Sequence, residues 1–335
     1  MKDDSSAIND NRFLLTIFTP SFNRADTLPR CLESLKQQTS TRFEWIIVDD
    51  GSTDQTSNLL EEWKNNMIPG LKFPVKVFQQ ANAGKHIAWN FAVNHASGNY
   101  FLCLDSDDEL LPEAVESVEN EIRNFQSGGN EPEALGFPLV DQYQNRIGKF
   151  LTKTEKKEGF IRLAFAGRLD AEVTLVYQTS LLKNYLFPEQ FQRIYFPESY
   201  LIYRFDRDHP VQFVDPIIYI YHKDTSGAIT NSNSASLERI ERGAALTLAM
   251  MNWGPLNCAP EQVFRHPVKI MRHSINYVRF CLHHKLGFYS AITFVDNLFS
   301  KFLVLISFVP GLILMKRDQK AIKRMRARIV SEKID

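Results

Sequence analysis

Cysteine is scarce: Cys31, Cys103, Cys258 and Cys281 are the only four in 335 residues, far apart and with no CxxC pair. That spacing excludes a zinc ribbon and a small disulfide scaffold, and it fits a reducing compartment. An excess of either charge is missing too, because 39 Lys and Arg balance 39 Asp and Glu. Without a global basic field, nucleic acid is not expected as a partner. The stretch 1–12 is polar and lacks the apolar segment of a secretory signal, so the chain is expected on the cytosolic side. No GxxxxGK(S/T) occurs and no GxGxxG follows the first apolar run, which counts against a P-loop hydrolase or a nicotinamide dehydrogenase. No internal repeat is visible. The composition, 44% hydrophobic and 23% charged, excludes a disordered chain or a fibrous rod, and the length suggests about two domains.

What is present is an α/β rhythm. Apolar runs at Leu14 to Phe18, Phe43 to Val48, Val75 to Phe78 and Tyr100 to Leu104 predict buried strands. Between them, Leu28, Cys31, Leu32 and Leu35, then Leu59, Leu60 and Trp63, then Ile87, Ala88, Phe91 and Ala92 recur at helical spacing. Asp26 is the expected N-cap of the first helix, and Pro112 is expected in the first turn of the helix after the fourth strand. Repeated βα units imply a doubly wound, mainly parallel sheet covered by helices on both faces. A looser stretch follows, with strands near 135–140, 211–214 and 217–221 and a helix near 159–166; beyond Ser236 the pattern is helical. The expected organisation is a polar tail 1–12, an α/β domain 13–233 and a helical region 234–335.

The helical region has an apolar segment, 286–315, and a basic tail, 316–328. Its longest uncharged run, Phe302 to Met315, is 14 residues, short of the roughly 20 that span a bilayer. Pro310 with Gly311 is expected to break the helix there. Lys316, Arg317, Lys320, Lys323, Arg324, Arg326 and Arg328 follow, opposed by Asp318. An apolar stretch with such a flank suits a helix lying in the cytoplasmic face of an anionic membrane, as a C-terminal membrane-associating extension. The alternative is a helix packed on the first domain or on a dimer partner, ahead of a solvated basic tail.

Three predicted strands end in polar clusters: Thr19 to Arg24, Asp49 to Asp54, and Asp105, Ser106, Asp107 and Asp108. In an open parallel sheet these converge on one edge, where ligands bind. Crowded carboxylates there repel unless a cation compensates, and hard ions such as Mg²⁺ or Mn²⁺ prefer oxygen ligands shared with a phosphate. The edge therefore predicts a metal and a phosphorylated ligand. Taken alone, Asp50, Gly51, Ser52 and Asp54 could equally close a strand and start a helix.

In order and spacing, TPSFNR at 19–24, DDGSTD at 49–54, NAGKHIAWN at 82–90 and DSDD at 105–108 resemble family 2 glycosyltransferases of the GT-A fold. The resemblance is close over Leu14 to Leu111 and looser to about Thr230. It divides the α/β domain into a nucleotide-binding half, 13–111, and an acceptor-binding half, 112–233, and implies a nucleoside diphosphate sugar as co-substrate, often UDP-linked. By resemblance, Thr19, Pro20, Phe22, Asn23, Arg24, Gly51 and Asn82 shape the donor pocket. Pro20 and Phe22 line the base and Asp50 accepts a hydrogen bond from it, with Phe22 standing where many relatives have Tyr. Lys85 would face the diphosphate, the alternative being a solvent lysine at a helix start. Asp105 would lie by the ribose and Ser106 would also belong to the donor pocket; Asp107, with Asp105, would hold the metal, and Asp108 would support it or cap a helix. His222 is a further metal ligand or a hydrogen-bonded loop histidine. Inverting transfer needs a carboxylate to take the acceptor proton; Glu198 in FPES occupies that place, with Asp170 and Glu172 as rivals for the base or for acceptor binding. Processive synthases carry (Q/R)xxRW after the base, whereas the nearest run here, Gln190 to Ile194, lacks Trp and precedes Glu198, which implies one sugar per binding event. The resemblance thus implies a metal-dependent inverting transferase, moving one sugar to a glycan or lipid-linked acceptor at the cytoplasmic membrane face in cell-surface polysaccharide or lipopolysaccharide synthesis. Transfer to a polyprenyl phosphate, nucleotidyl transfer with release of pyrophosphate, and a non-catalytic scaffold retaining the fold are the alternatives.

Overall fold

The computed structural model describes residues 13–148, 151, 159–166, 172–189, 196–223, 267–283, 287–293, 295 and 298–331. The chain forms two compact units: one of residues 1–159, 170–193 and 209–228, the other of 160–169, 194–208 and 229–335. The strands are β1 (Leu15–Ser21), β2 (Phe43–Asp49), β3 (Val75–Gln79), β4 (Tyr100–Cys103), β5 (Glu109–Leu110), β6 (Ala134–Asp141), β7 (Val173–Gln178), β8 (Gln212–Phe213) and β9 (Tyr219–Tyr221). The helices are α1 (Leu28–Lys36), α2 (Thr56–Glu62), α3 (Lys85–His95), α4 (Ala114–Ser127), α5 (Phe160–Ala166), α6 (Thr179–Leu182), α7 (Ser199–Asp208), α8 (Pro267–His283), α9 (Phe288–Thr293) and α10 (Leu298–Ser331).

The first unit holds one sheet in the order β3-β2-β1-β4-β7-β6-β9-β5, with β8 beside β6. Only β7 and β5 run against the rest, so the sheet is mainly parallel, as expected. Every residue of β1 and β2 is buried, which explains why these strands read as unbroken apolar runs. Alternate side chains serve opposite faces: Leu15 and Ile17 join Leu28, Leu32 and Leu35 of α1, while Phe18 meets Trp89 of α3 edge to face at 5.9 Å. β1 continues past Phe18 through Thr19 and Pro20 to Ser21. A proline is tolerated in this central strand because β4 pairs only as far as Phe18, leaving β1 bonded to β2 alone beyond that point. That end of β1, no longer paired with β4, lies at the switch in strand order, where α/β sheets bind ligands.

Two expected helix starts move. Thr27, not Asp26, occupies the N-cap of α1, and Asp26 is exposed. The N-cap of α4 is Glu113, so Pro112 lies before the helix, not in its first turn.

A buried polar knot fastens the bottom of the sheet. Glu44 accepts hydrogen bonds from Thr16 Oγ1 (2.7 Å) and the Ser97 amide (2.5 Å), and pairs with Lys76 (2.7 Å). Burial alone would raise its carboxyl; the Lys76, Ser97 and Thr16 donors outweigh that and hold it below the usual range. The Gly98 amide donates to Thr16 Oγ1, and a Cβ on Gly98 would lie 2.4 Å from the Thr16 nitrogen. Backbone cannot give way as a side chain can, so Gly98→Ala is expected to cost about 3 kcal/mol or more, lowering the melting temperature by roughly 6–12 °C in a thermal scan.

The second unit is helical. Phe160 in α5 packs on Tyr203 of α7 at 6.2 Å, and the Phe160 amide donates to Asp206 (2.7 Å). Ile270, Tyr277, Val278 and Cys281 of α8 form a core with Ala291, Val295, Leu303 and Val304, against which Tyr203 packs. The expected break at Pro310 and Gly311 does not occur: α10 runs unbroken for 34 residues. Pro310 lies on the exposed side, and a Cβ on Gly311 would lie 2.7 Å from Val278 Cγ1, so close packing on α8 outweighs the missing N–H.

Candidate active site

Three loops at the carboxyl ends of β1, β2 and β4 build the site. Asn23 adopts a left-handed conformation (φ 54°), which asparagine tolerates better than most residues. Its Oδ1 accepts from the Thr53 amide (2.7 Å) and the Asp54 amide (3.3 Å), and its own amide donates to Ser52 Oγ (2.9 Å). The Arg24 amide donates to Thr56 Oγ1 (2.8 Å). The polar residues of the first loop therefore tie it to the second. Asp50, buried, takes Gln80 Nε2 (2.7 Å) and the Ala83 amide (2.8 Å) on one oxygen and the Gly84 amide (2.8 Å) on the other. Gly51 (φ 74°) leaves room for Asn82, whose amide nitrogen would sit 2.7 Å from a Cβ there. Asp50 thus shapes the loop leading to Lys85, beyond any bond to a base. Phe22 is 43% exposed at this rim, whereas Thr19 is buried with its hydroxyl accepting from Trp45 Nε1 (2.9 Å), and Pro20 lies within β1.

The acidic turn after β4 is held from below and from the side. The Cys31 thiol lies 3.1 Å from the carbonyls of both Asp105 and Asp108, and Arg30 donates to the Asp107 carbonyl. Tyr219 accepts from the Asp105 amide (3.1 Å) and donates to Asp108 Oδ2 (2.8 Å); the His222 amide donates to Asp108 Oδ1 (2.8 Å). His222 Nε2 lies 2.7 Å from Glu109 Oε1, which also faces Arg30 at 3.5 Å. Both Asp108 oxygens are therefore engaged in anchoring the turn, and Ser106 is buried within it. Asp105 pairs with Lys85, the first residue of α3, at 2.6 Å, while Asp107 has a loose 3.8 Å pair with Arg24.

Charge crowding shows in the acids themselves. Burial first, and the Asp105 charge second, raise the Asp107 carboxyl above its ordinary value despite Arg24. The same two causes push Asp108 up to about 8, against the His222 and Tyr219 donors. Crowded hard oxygens of this kind suit a divalent cation, which Asp107 and Asp105 could hold. Cys31 is pushed well up by burial and then by Asp108, and is a structural thiol.

Glu172 is exposed just before β7. Glu198 belongs to the helical unit, where its carbonyl accepts the amides of Leu201 (2.9 Å) and Ile202 (3.0 Å) and so opens α7. Asp170 and the run Gln190 to Ile194 lie outside the described residues. Residue-type reasoning missed Tyr219, Cys31 and Arg30, which read as strand and helix positions. Tyr219→Phe would leave the Asp105 amide unpaired at a cost of about 1–3 kcal/mol. Roughly tenfold weaker Mn²⁺ binding in calorimetry, with an unchanged circular dichroism spectrum, is the expected result.

A family profile described as Glycosyl transferase family 2 matches residues 16–130. The chain is 42% identical over 110 residues to a chondroitin synthase of Escherichia coli, covering 33% of this chain and 15% of that one. It spans less than a third of the length of the curated relatives it matches first. Among solved structures, Staphylococcus aureus TarS 1–349 in complex with UDP superposes with a TM-score of 0.54 at 17% identity, over 92% of this chain and 91% of that one. The mannosyltransferase PcManGT from Pyrobaculum calidifontis, in complex with GDP-Man and Mn²⁺, gives 0.52 at 15% identity, over 93% and 85%. Sheet order and the matched motifs agree: residues 16–130 are a family 2 glycosyltransferase domain, in a chain of GT-A fold.

Proposed function

We propose that the chain transfers one sugar, with inversion, from a UDP-linked donor to a hydroxyl of a glycan or lipid-linked acceptor. It acts with Mg²⁺ or Mn²⁺ at the cytoplasmic face of the cell membrane, in cell-surface polysaccharide or lipopolysaccharide synthesis. The observation that carries this reading is the meeting of Lys85, Arg24, Asp105 and Asp107 at the carboxyl ends of β1 and β4. A binding edge offering both cations and metal-ligating acids suits a diphosphate better than a neutral ligand. The UDP complex of TarS and the naming of the E. coli relative as a chondroitin synthase support it.

In this reading the exposed Phe22 ring stacks on the base. Lys85, at the positive end of an eleven-residue helix, places a point charge by the phosphates. A divalent ion held by Asp107 and Asp105 would stabilise the charge on the departing diphosphate. Glu198 takes the acceptor proton as the new C–O bond forms and the anomeric carbon–phosphate oxygen bond breaks; one displacement inverts the centre. Calorimetric titration with UDP, GDP and CDP, with and without Mn²⁺, tests the donor assignment. Metal-dependent binding of UDP alone is expected. Binding of none of the three would sink the catalytic reading and leave a scaffold.

A further inference from the structure

We infer that α10 is an in-plane membrane wedge: it lies along an anionic bilayer surface with one apolar stripe inserted and its opposite face kept on α8. This deepens the membrane-face part of the proposed function and rests on it. By length and composition alone, Leu298–Ala321 could cross a bilayer. Its surroundings within the helical unit argue otherwise.

Leu298, Phe302, Leu305, Ile306, Val309 and Ile313 are each at least 42% exposed, while Leu303, Val304, Ser307 and Gly311 are buried. At 100° per residue the first set falls on one side of the helix and the second on the other. The exposed stripe runs about 22 Å and then continues, on the same side, into Lys316 and Lys320, with Arg317 and Lys323 flanking and all four exposed. The buried side is fixed to α8 along its length: Ser307 Oγ lies 3.6 Å from Met271 Sδ, Gly311 abuts Val278, and Asp318 pairs with Arg279 (2.5 Å) and His283 (2.9 Å).

That attachment sets the depth. The Met271 contact places the first turns of α8, with Lys269 and Arg272, beside the middle of the apolar stretch. Tyr203 packs on the same core and brings α7 with its Arg204 and Arg207. A spanning α10 would carry these charged side chains to hydrocarbon depth, where ionisable groups are strongly disfavoured. Lying flat, the helix buries only its apolar stripe at the boundary between headgroups and acyl chains and keeps α8 and α7 on the aqueous side. A second copy is a poorer occupant: a parallel pairing of two stripes would oppose Lys316 and Lys320 to themselves, and an antiparallel one would press them on apolar side chains. Anionic headgroups complement both parts of the stripe.

Full-length protein is mixed with vesicles of phosphatidylcholine alone or with a quarter phosphatidylglycerol, and binding is read by flotation. Salt-sensitive binding to the anionic vesicles is expected, weakened about 30-fold in a Lys316→Gln/Lys320→Gln variant and lost in Val309→Asp/Ile313→Asp. Depth is read with brominated lipids from Phe302→Trp, Val309→Trp and Ile313→Trp, each against the parent's four tryptophans. One shared shallow depth for all three supports the wedge; a graded profile with one position at the bilayer centre overturns it while leaving membrane association standing. No binding to either vesicle, or a dimer in sedimentation that Val309→Asp dissociates, overturns the wedge and the membrane reading together. None of these residues lies in the sheet-bearing unit, so nucleotide titration reports on the donor site separately.

Discussion

Asp107→Asn is expected to abolish the Mn²⁺-dependent part of UDP binding and to lower the rate of UDP release from a UDP-sugar by about a thousandfold, while the metal-free protein melts no lower than its parent. The two halves of this expectation have one origin. Burial and the neighbouring Asp105 charge make the Asp107 carboxylate costly in the absence of a cation, so a neutral isostere removes a penalty rather than a support. A bound ion reverses the balance, and its stabilisation of the folded protein should vanish with the charge that held it. The measurement is a pair of thermal scans with and without Mn²⁺ beside calorimetry with UDP; a variant that kept the Mn²⁺-induced rise would remove Asp107 from the metal site. Because the ion must displace the proton favoured by the raised Asp107 carboxyl, that rise should grow as pH increases and shrink as it falls.

Glu198→Gln is expected to cut transfer to a hydroxyl acceptor by about 10²–10⁴-fold and to leave UDP binding unchanged. Gln keeps the size of the side chain, and Glu198 opens α7 through its carbonyl, so the substitution leaves the helix start intact. Transfer that survived in Glu198→Gln would point to an acceptor already ionised, such as a polyprenyl phosphate, which needs no base. Loss in Glu172→Gln with Glu198→Gln active would move the base to the exposed acid before β7. Product analysis by mass spectrometry alongside initial rates separates these outcomes.

The fold was legible where burial is two-sided. β1 and β2 are covered on both faces, so their composition alone marks them as strands, and the polar clusters that end them had to fall on one edge. The family motifs within residues 16–130 were legible because each is short and local. What could not be read was the anchoring of those motifs. Tyr219 supports Asp108 across 111 positions of chain, and Cys31 reaches it across 77, distances at which neither periodicity nor spacing carries information. Asp108 itself reads as another ligand in a run of acids; only the two donors on its oxygens show it as an anchor. Pro310 misled for the opposite reason: its local preference is real, but Gly311 packs so closely on Val278 that the tertiary contact prevails. α10 is consequently longer than its uncharged run.

Asn23, Asp49 and Asp50 spend their side chains on backbone amides and neighbouring hydroxyls of adjacent loops. If these loops bind the nucleotide as proposed, the floor of its pocket is tied in place before any nucleotide arrives. A ligand entering it has little chain to order, so most of its contact energy remains as affinity, and its arrival is governed by diffusion of an anion toward Lys85 and Arg24 rather than by closure of these loops. Selection among nucleotides in such a pocket works by exclusion: a base that does not match the fixed rim cannot induce a better fit, and leaves as quickly as it came.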